Sequence, residues 1–204
     1  MKNELHKRIV SSIILIPIAL FFIIKGALLF NFFILICFVI TSYEWHMMTR
    51  KNSFNKFGFI FLIISFYTIY HLRNDFSGNY IYLLMVTLIC VSTDIGGYIF
   101  GKVFKGPKLT KLSPNKTYSG MVGGYLLSII FLSIFFNSTH VFSKPIELTA
   151  DMFIFILLVS TISQLGDIFI SYFKRLSKIK DTGKIIPGHG GLLDRIDGMI
   201  FAFP

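Results

Sequence analysis

Long apolar runs, each about as long as a membrane-spanning helix, alternate with short polar segments along this chain. A spanning α-helix needs about 20 mostly apolar residues. We therefore predict an all-α polytopic membrane protein with about six transmembrane helices, at residues 8–24, 27–47, 57–72, 80–101, 120–136 and 151–173. The run at residues 198–204 predicts an incomplete C-terminal helix, because so short a segment cannot cross a bilayer.

The polar segments predict one integral-membrane domain over residues 1–204. No repeat period and no linker divides the chain, and the loops are too short to fold alone. Residues 1–72 are predicted to form N-terminal membrane helices, with a tight hairpin between the first two. Residues 80–204 carry the polar motifs, mostly in two basic loops at 102–119 and 174–197.

Composition supports the membrane assignment. The chain is 54% hydrophobic, and its mean hydropathy of +0.71 is too high for a soluble domain. The formal net charge is +10, and the charged residues lie between the apolar runs. This placement favours roles in membrane orientation and in binding anionic ligands over a role in binding nucleic acid. Cys37 and Cys90 lie within apolar runs and are interpreted as small core residues, with no disulfide framework or metal site.

The basic residues predict the orientation of the helices. If the N-terminus is cytoplasmic, 17 of the 20 Lys and Arg residues lie on the cytoplasmic side. Only Lys25, Arg73 and Lys144 then lie outside. Both long basic loops would face the cytoplasm, where nucleotides are found.

A polar stripe runs along the sixth predicted span. Ser160, Gln164, Asp167, Ser171 and Lys174 follow one another at spacings of 4, 3, 4 and 3, which place all five on one helix face. The stripe is either the wall of a wet cleft or a hydrogen-bonded seam between helices. Acids at membrane depth are costly, so we expect a cation beside Asp167 and a functional role for it.

A second set of polar residues surrounds the first basic loop. Asp94, near the cytoplasmic end of the fourth span, is a candidate site residue, with an ion pair to a loop lysine as the alternative. The Ser113–Thr117 turn presents Lys116 and Thr117 together, which suits phosphate or base contacts. The other interpretation is a plain cytoplasmic loop. Neighbouring glycines are interpreted mainly as helix-packing positions.

Residues 171–197 combine five cations ahead of a His-Gly-Gly turn with two aspartates three residues apart, Asp194 and Asp197, after it. For His189 we favour phosphate hydrogen bonding or loop organisation over general-base or metal-ligand roles. Glycines at 188, 190 and 191 allow positive φ and close approach to a ligand. Asp194 and Asp197 share a face if the segment is helical, and two such carboxylates repel unless a cation lies between them.

Magnesium suits these two carboxylates, because it binds through one or two carboxylates plus substrate phosphate. Asp167 could supply a third ligand, and a second cation stays open. The alternative is a capped helix end in which an aspartate pairs with Arg195.

This pattern resembles the signature of the phosphatidate cytidylyltransferase (CDP-diacylglycerol synthase) family. The matching residues read Ser171-x-x-Lys174-Arg175, four residues, Lys180-Asp181-x-Gly183, then Pro187-x-His189-Gly190-Gly191-x-x-Asp194-Arg195-x-Asp197. The motifs around Asp94 and Lys116 are also similar to that family. One departure is Ser119, where the family usually has Glu. Members also commonly have more N-terminal helices and a final helix after the aspartates.

The resemblance implies the reaction CTP + phosphatidate → CDP-diacylglycerol + pyrophosphate in a multi-pass protein of the inner membrane, with a cytoplasmic active site. Partners would be CTP, phosphatidate and the bilayer, without nucleic acid, and a homodimer stays open. Mg²⁺ would be held by Asp167, Asp194 and Asp197. Catalytic residues would be these three together with Lys174 and Arg175. Substrate-binding residues would be Asp94, Lys116, Thr117, Ser171, Lys180, Asp181, His189, Gly190, Gly191 and Arg195.

Two other functions compete with this one. The first is a related CTP-dependent enzyme for another lipid, such as a polyprenol kinase or an archaeal-type CDP-lipid synthase; the full motif argues against it. The second is a transporter with Asp94 and Asp167 on an ion path. A transporter predicts polar residues towards the outer side, whereas residues 82–91 and 152–159 are nearly all apolar.

Overall fold

The computed structural model describes residues 2–50, 54–74, 80–110, 113, 116–138 and 149–204, and for residues 2–10, 12, 137 and 138 the backbone alone. Within these ranges the regular secondary structure is helical, and the only extended pairings are two isolated bridges, Lys108 to Thr117 and Ile186 to Gly190. Lys144, predicted above to lie outside, falls beyond the described ranges. So do Pro114 and Asn115 of the Ser113–Thr117 turn, and Lys51 and Lys111, which belong to the 17 basic residues predicted on the cytoplasmic side.

Each of the six predicted spans coincides with a long helix. The helices are α1 (Lys2–Lys25), α2 (Ala27–Thr49), α3 (Asn55–Asn74), α4 (Ile81–Phe104), α5 (Tyr118–Ser138) and α6 (Ala150–Leu176), followed by the short α7 (Leu193–Ile196) and α8 (Met199–Ala202). Five of them, α2 to α6, are long and apolar enough to cross a membrane, and the described apolar part of α1 is Ile13–Lys25. This confirms an all-α polytopic membrane protein. The count of six spans and the cytoplasmic N-terminus stay predictions.

The chain packs as two compact units. Unit 1 holds Met1–Leu84 and Phe173–Pro204, and unit 2 holds Met85–Tyr172. The boundaries between them fall within α4 and α6.

The hairpin between α1 and α2 in unit 1 depends on a glycine and an arginine. Gly26 turns the chain with φ +64°. Arg73 of α3 donates from Nε to the Ile23 carbonyl at 2.6 Å and from Nη2 to the Ile24 carbonyl at 3.3 Å. These are last-turn carbonyls of α1 that lack helical partners, and a cation there also suits the helix dipole. A side chain at position 26 would overlap the guanidinium.

The rest of unit 1 joins the two chain segments through aromatic and hydroxyl contacts. Trp45 of α2 packs edge-on against Phe173, with ring centroids 5.2 Å apart. Ser65 of α3 donates to the Ile200 carbonyl of α8 at 2.7 Å, and Phe61 packs against Phe201. The residues predicted to begin another helix therefore form α8, which packs on α3.

Unit 2 is organised by small residues and hydroxyl groups. A methyl group at Gly96 of α4 would overlap the Gly123 carbonyl of α5, so glycine permits the close approach of these helices. Deep in the unit, the hydroxyl oxygen of Ser160 lies 2.6 Å from that of Thr93 and 3.0 Å from that of Ser128. At Ser160 the polar stripe is thus a seam between helices, and the glycine at position 96 is a packing position.

Candidate active site

Lys174 and two aspartates form a compact charged cluster in unit 1, hereafter the Lys174 cluster. Lys174 lies in the last turn of α6, and its Nζ donates to Asp194 Oδ1 at 3.0 Å. The same Nζ lies 3.6 Å from Asp197 Oδ2. The three side chains are only 12, 3 and 12% exposed, in the order Lys174, Asp194, Asp197. The i, i+3 spacing around α7 thus brings both carboxylates to one cation.

The second oxygen of Asp194 is occupied by groups of the protein. Oδ2 accepts hydrogen bonds from the Thr182 backbone N–H at 2.7 Å, the Thr182 hydroxyl at 3.0 Å and the Gly191 N–H at 2.9 Å. Burial raises the pKa of Asp194, but the Gly191 N–H, the Lys174 charge and the Thr182 N–H outweigh it, so the pKa lies below its usual 3.8. Asp194 is therefore ionised at neutral pH and well fixed in orientation.

Glu44 of α2 is a buried acid that the sequence analysis passed over. Its Oε2 accepts from the Leu193 N–H at 2.8 Å and the Thr182 hydroxyl at 3.1 Å, and its Oε1 accepts from the Leu192 N–H at 3.0 Å. The signal was available, because Glu44 falls inside a predicted span, where acids are suspect. Its partners lie more than 130 residues further along the chain, and no spacing reveals them.

The His-Gly-Gly turn is held by its own backbone and by α1. Gly188 and Gly190 have φ of +76° and +87°, the positive values that the sequence analysis expected glycine to allow. Ile186 and Gly190 pair through the Ile186 N–H, which donates to the Gly190 carbonyl at 2.9 Å. His189 Nδ1 lies 2.6 Å from the Ser11 hydroxyl. Contact with Ser11 supports loop organisation as one role of His189.

Several predicted site residues of this segment lie at the surface of the protein. They are Arg175, predicted to be catalytic, and Lys180, Asp181 and Arg195, predicted to bind substrate. The start of the segment is fixed by Ser177, whose hydroxyl donates to the Met48 carbonyl at 2.6 Å. Three of these four exposed residues are cations, whereas the side chain of Lys174 is only 12% exposed.

In unit 2, Asp167 pairs with Lys116 of the first basic loop. Lys116 Nζ forms an ion pair with Asp167 and donates to the Gln164 carbonyl at 3.3 Å, and the two charged side chains are about one quarter exposed. Ser171 donates to the other Asp167 oxygen at 3.4 Å. Lys116 therefore supplies the cation expected beside this acid. The metal-ligand role of Asp167 stays a prediction.

The first basic loop closes on itself before α5. The Leu109 N–H donates to the Lys116 carbonyl at 2.8 Å. Thr117 precedes α5 and accepts the Gly120 N–H on its hydroxyl at 3.1 Å, which is N-capping geometry. Ser119, where the family usually has Glu, lies 3.0 Å from the Thr117 hydroxyl. The structure thus gives Thr117 a capping role, while Asp94 lies exposed on α4.

The donor set of the Lys174 cluster fits a magnesium ion. Asp194 Oδ1 and Asp197 Oδ2 converge on one cationic group, Lys174 Nζ, and carboxylate oxygens are what magnesium prefers. Two carboxylates leave room for the substrate phosphates that usually complete such a site. Among the described residues, no group of three or more His, Cys, Asp or Glu side chains is close enough to hold a metal. The magnesium ion and its three predicted ligands therefore stay predictions.

Comparison with known proteins shows similarity along the whole chain. The chain matches the sequence model of the Cytidylyltransferase family over residues 6–75 and 56–204. It is 36% identical to the phosphatidate cytidylyltransferase of Rickettsia bellii, covering 100% of this chain and 89% of the relative. It is also 36% identical to that of Rickettsia conorii, over 98% and 88%, and 35% identical to that of Staphylococcus saprophyticus, over 82% and 64%.

Proposed function

Because this chain belongs to the cytidylyltransferase family, we propose that it condenses CTP with phosphatidate to give CDP-diacylglycerol and pyrophosphate, in phospholipid biosynthesis. The observation that carries the proposal is the similarity to phosphatidate cytidylyltransferases over the full chain. Phosphatidate is a membrane lipid, and a chain whose described residues include five apolar helices of spanning length is suited to a substrate that stays in the bilayer.

The proposed reaction is an in-line displacement at phosphorus. A phosphate oxygen of phosphatidate forms a new bond to the α-phosphorus of CTP, and the bond from that phosphorus to the α–β bridging oxygen breaks. Pyrophosphate leaves with the electron pair. The attacking phosphate is already an anion near neutral pH, so no strong general base is needed. Catalysis then rests on positioning and on neutralising phosphate charge.

The side chains of unit 1 supply the cations for this chemistry. Lys174 is held by Asp194 and Asp197 and can donate to a phosphate oxygen. Arg175, Lys180 and Arg195 are exposed and can contact the remaining phosphate charges. His189 is proposed as a further hydrogen-bonding group for phosphate. We further propose that Asp194 and Asp197 hold magnesium, which when bound would neutralise charge on the phosphates.

The other substrate contacts are proposed from the sequence pattern alone. Lys116 is proposed to bind the nucleotide, next to its ion pair with Asp167. The role of Asp167 as a metal ligand and the second cation stay predictions. The homodimer also stays a prediction.

We place the reaction at the cytoplasmic face of the inner membrane. The 17 of 20 basic residues that one orientation brings to the cytoplasmic side support this placement. CTP is also available on that side.

A side-by-side acceptor assay tests the proposal. The purified chain in detergent is incubated with CTP, with and without magnesium, and with phosphatidate, a polyprenol or an archaeal-type ether lipid. We expect CDP-diacylglycerol and pyrophosphate in equal amounts from phosphatidate alone, and only with magnesium. Formation of a phosphorylated polyprenol with release of CDP would replace the proposed reaction with a lipid kinase. Preference for the ether lipid would replace the proposed acceptor.

A further inference from the structure

Glu44 is the most deeply buried charged side chain among the described residues, with 1% of its surface exposed. Both its oxygens accept hydrogen bonds, from the Leu192 and Leu193 N–H groups and from the Thr182 hydroxyl. Burying an ionised carboxylate is costly unless it is fully hydrogen-bonded. A fully buried acid that organises loop backbone from a membrane helix therefore needs an explanation beyond packing.

The partners of Glu44 bracket the His-Gly-Gly turn on both sides. Thr182 precedes the turn, and Leu192 and Leu193 follow it. The two glycines beside the carboxylate leave it room, because a methyl group at Gly183 would come within 2.6 Å of Oε1 and one at Gly191 within 2.5 Å of Oε2. Glycine at these positions thus accommodates a protein carboxylate.

Glu44 is also linked to the Lys174 cluster through one residue. The Thr182 hydroxyl lies 3.1 Å from Glu44 Oε2 and 3.0 Å from Asp194 Oδ2. The Thr182 N–H also donates to Asp194 Oδ2, while Asp194 Oδ1 accepts a hydrogen bond from Lys174 Nζ. Displacing Thr182 would therefore turn the Asp194 carboxylate and move the cation that it holds.

We propose that Glu44 is a positioning residue for cytidylyl transfer. Its carboxylate fixes residues 182–193 so that Asp194 keeps Lys174 in the orientation in which this lysine acts on the phosphates. This inference rests on the proposed function. Glu44 touches neither substrate nor reacting atoms in this role, and its effect passes through Thr182 and Asp194.

A purely structural role makes a different prediction. If Glu44 only stabilised the fold, its loss would reduce the amount or thermal stability of folded protein and leave the turnover of each folded molecule unchanged. A positioning role lowers kcat per folded molecule and leaves KM for phosphatidate nearly unchanged, because orientation matters most in the transition state.

Two variants and a control separate these roles. Glu44→Gln keeps the length of the side chain and one accepting oxygen, whereas Glu44→Leu removes every acceptor. Thr41→Val is the matched control, because Thr41 is equally buried one turn earlier on α2 and its hydroxyl bonds only to carbonyls of its own helix. Turnover is measured per folded molecule, together with hydrogen–deuterium exchange of the peptide that contains Leu192 and Leu193.

We expect kcat to fall about tenfold in Glu44→Gln and about a hundredfold in Glu44→Leu, since displacements near 1 Å can cost that much. KM for phosphatidate should change less than about twofold. Amide exchange at residues 192–193 should rise in the same order, and Thr41→Val should match wild type in both measurements. A smaller loss of kcat in Glu44→Gln than in Glu44→Leu would link the hydrogen bonds of Glu44 to turnover.

The outcomes distinguish the inference from the proposed function. An active wild type with unchanged kcat in Glu44→Leu would overturn the positioning role and leave the proposed function standing. Faster amide exchange at residues 192–193 in the Glu44 variants without a loss of kcat would overturn the positioning role as well. A wild type that forms no CDP-diacylglycerol would overturn the proposed function and the positioning role with it.

Discussion

Each buried carboxylate of unit 1 has a different set of partners, and the set indicates what the residue does. Glu44 accepts two backbone N–H groups, and Asp194 accepts two N–H groups on one oxygen and a lysine on the other; the two acids share the single proton of the Thr182 hydroxyl. Asp197 accepts the Gly198 N–H on Oδ1 and faces Lys174 with Oδ2. The sequence pattern predicted both aspartates from their spacing, but it could not reveal Glu44 or Thr182, whose roles depend on contacts distant along the chain.

We expect Asp194→Asn and Asp197→Asn to differ in stability but not in their effect on catalysis. In Asp194→Asn, either orientation of the new amide would place its NH₂ against a hydrogen-bond donor, so unfolding should become easier by about 1–3 kcal/mol. An amide at position 197 can still accept from Gly198 and should cost less. Both variants should lower magnesium-dependent turnover by about two orders of magnitude, because each weakens the carboxylate pair around Lys174.

Thermal unfolding and turnover across a magnesium series measure these two effects. Ser177→Ala, which removes the hydrogen bond to the Met48 carbonyl without touching a carboxylate, is the control for stability alone. Near-wild-type turnover in both Asn variants would contradict the assignment of the pair to the site.

The Lys116–Asp167 ion pair allows a double-mutant cycle. Lys116→Met or Asp167→Asn alone leaves a partly buried charge without its partner, so each should destabilise unit 2. The double variant should lose less stability than the sum of the single ones. Thermal unfolding measures the coupling, and an additive result would contradict the pair's structural role.

The same variants test the predicted metal role of Asp167. If Asp167 is a metal ligand, the Asp167→Asn variant should need more magnesium than wild type to reach half-maximal turnover. If Asp167 serves only as the ion-pair partner of Lys116, the Asp167→Asn variant should show the same magnesium dependence as wild type. An unchanged magnesium curve with appreciable turnover in Asp167→Asn would remove Asp167 from the metal site and leave the metal to Asp194 and Asp197.

Helices and loops differed in how far sequence could predict them. Apolar run length located the ends of α2 to α6 within three residues and the start of α1 within six, because a bilayer imposes the length of a spanning helix. The loops depend on local geometry, such as the positive φ of Lys105, Gly106 and Lys178, and on contacts between distant segments. Hydrophobic pattern carries no information on either, which is why the role of Thr117 as a helix cap was not predicted.

The α1–α2 hairpin is expected to tolerate no side chain at its turn. Gly26→Ala places a methyl group at φ +64°, where it would also overlap the Arg73 guanidinium. The strain and the displaced arginine should together cost about 1–3 kcal/mol. Thermal unfolding in detergent measures the loss, with the exposed Lys25→Ala as the neighbouring control. Arg73→Met should destabilise similarly, and a Gly26→Ala variant as stable as wild type would contradict this account of the turn.

At the scale of the whole molecule, the distribution of basic residues and the location of the proposed phosphate-binding residues favour the same side of the membrane. The basic loops that define the predicted cytoplasmic side carry the proposed phosphate-binding residues, among them Lys116 and Lys174. The residues predicted outside include Arg73, which is engaged by carbonyls of α1. Cytoplasmic retention of basic loops during insertion and the availability of CTP therefore favour the same orientation.

Cysteine labelling in intact cells tests this orientation. Cys37 and Cys90 are first replaced, and single cysteines are introduced at Lys108 and Lys184, which are exposed in the two basic loops. If both loops are cytoplasmic, an impermeant thiol reagent added outside should label neither site until the cells are permeabilised. A cysteine at Lys144, one of the three basic residues predicted outside, should be labelled without permeabilisation and serves as the positive control. Labelling of position 108 or 184 in intact cells would reverse the orientation and place the proposed site away from cytoplasmic CTP.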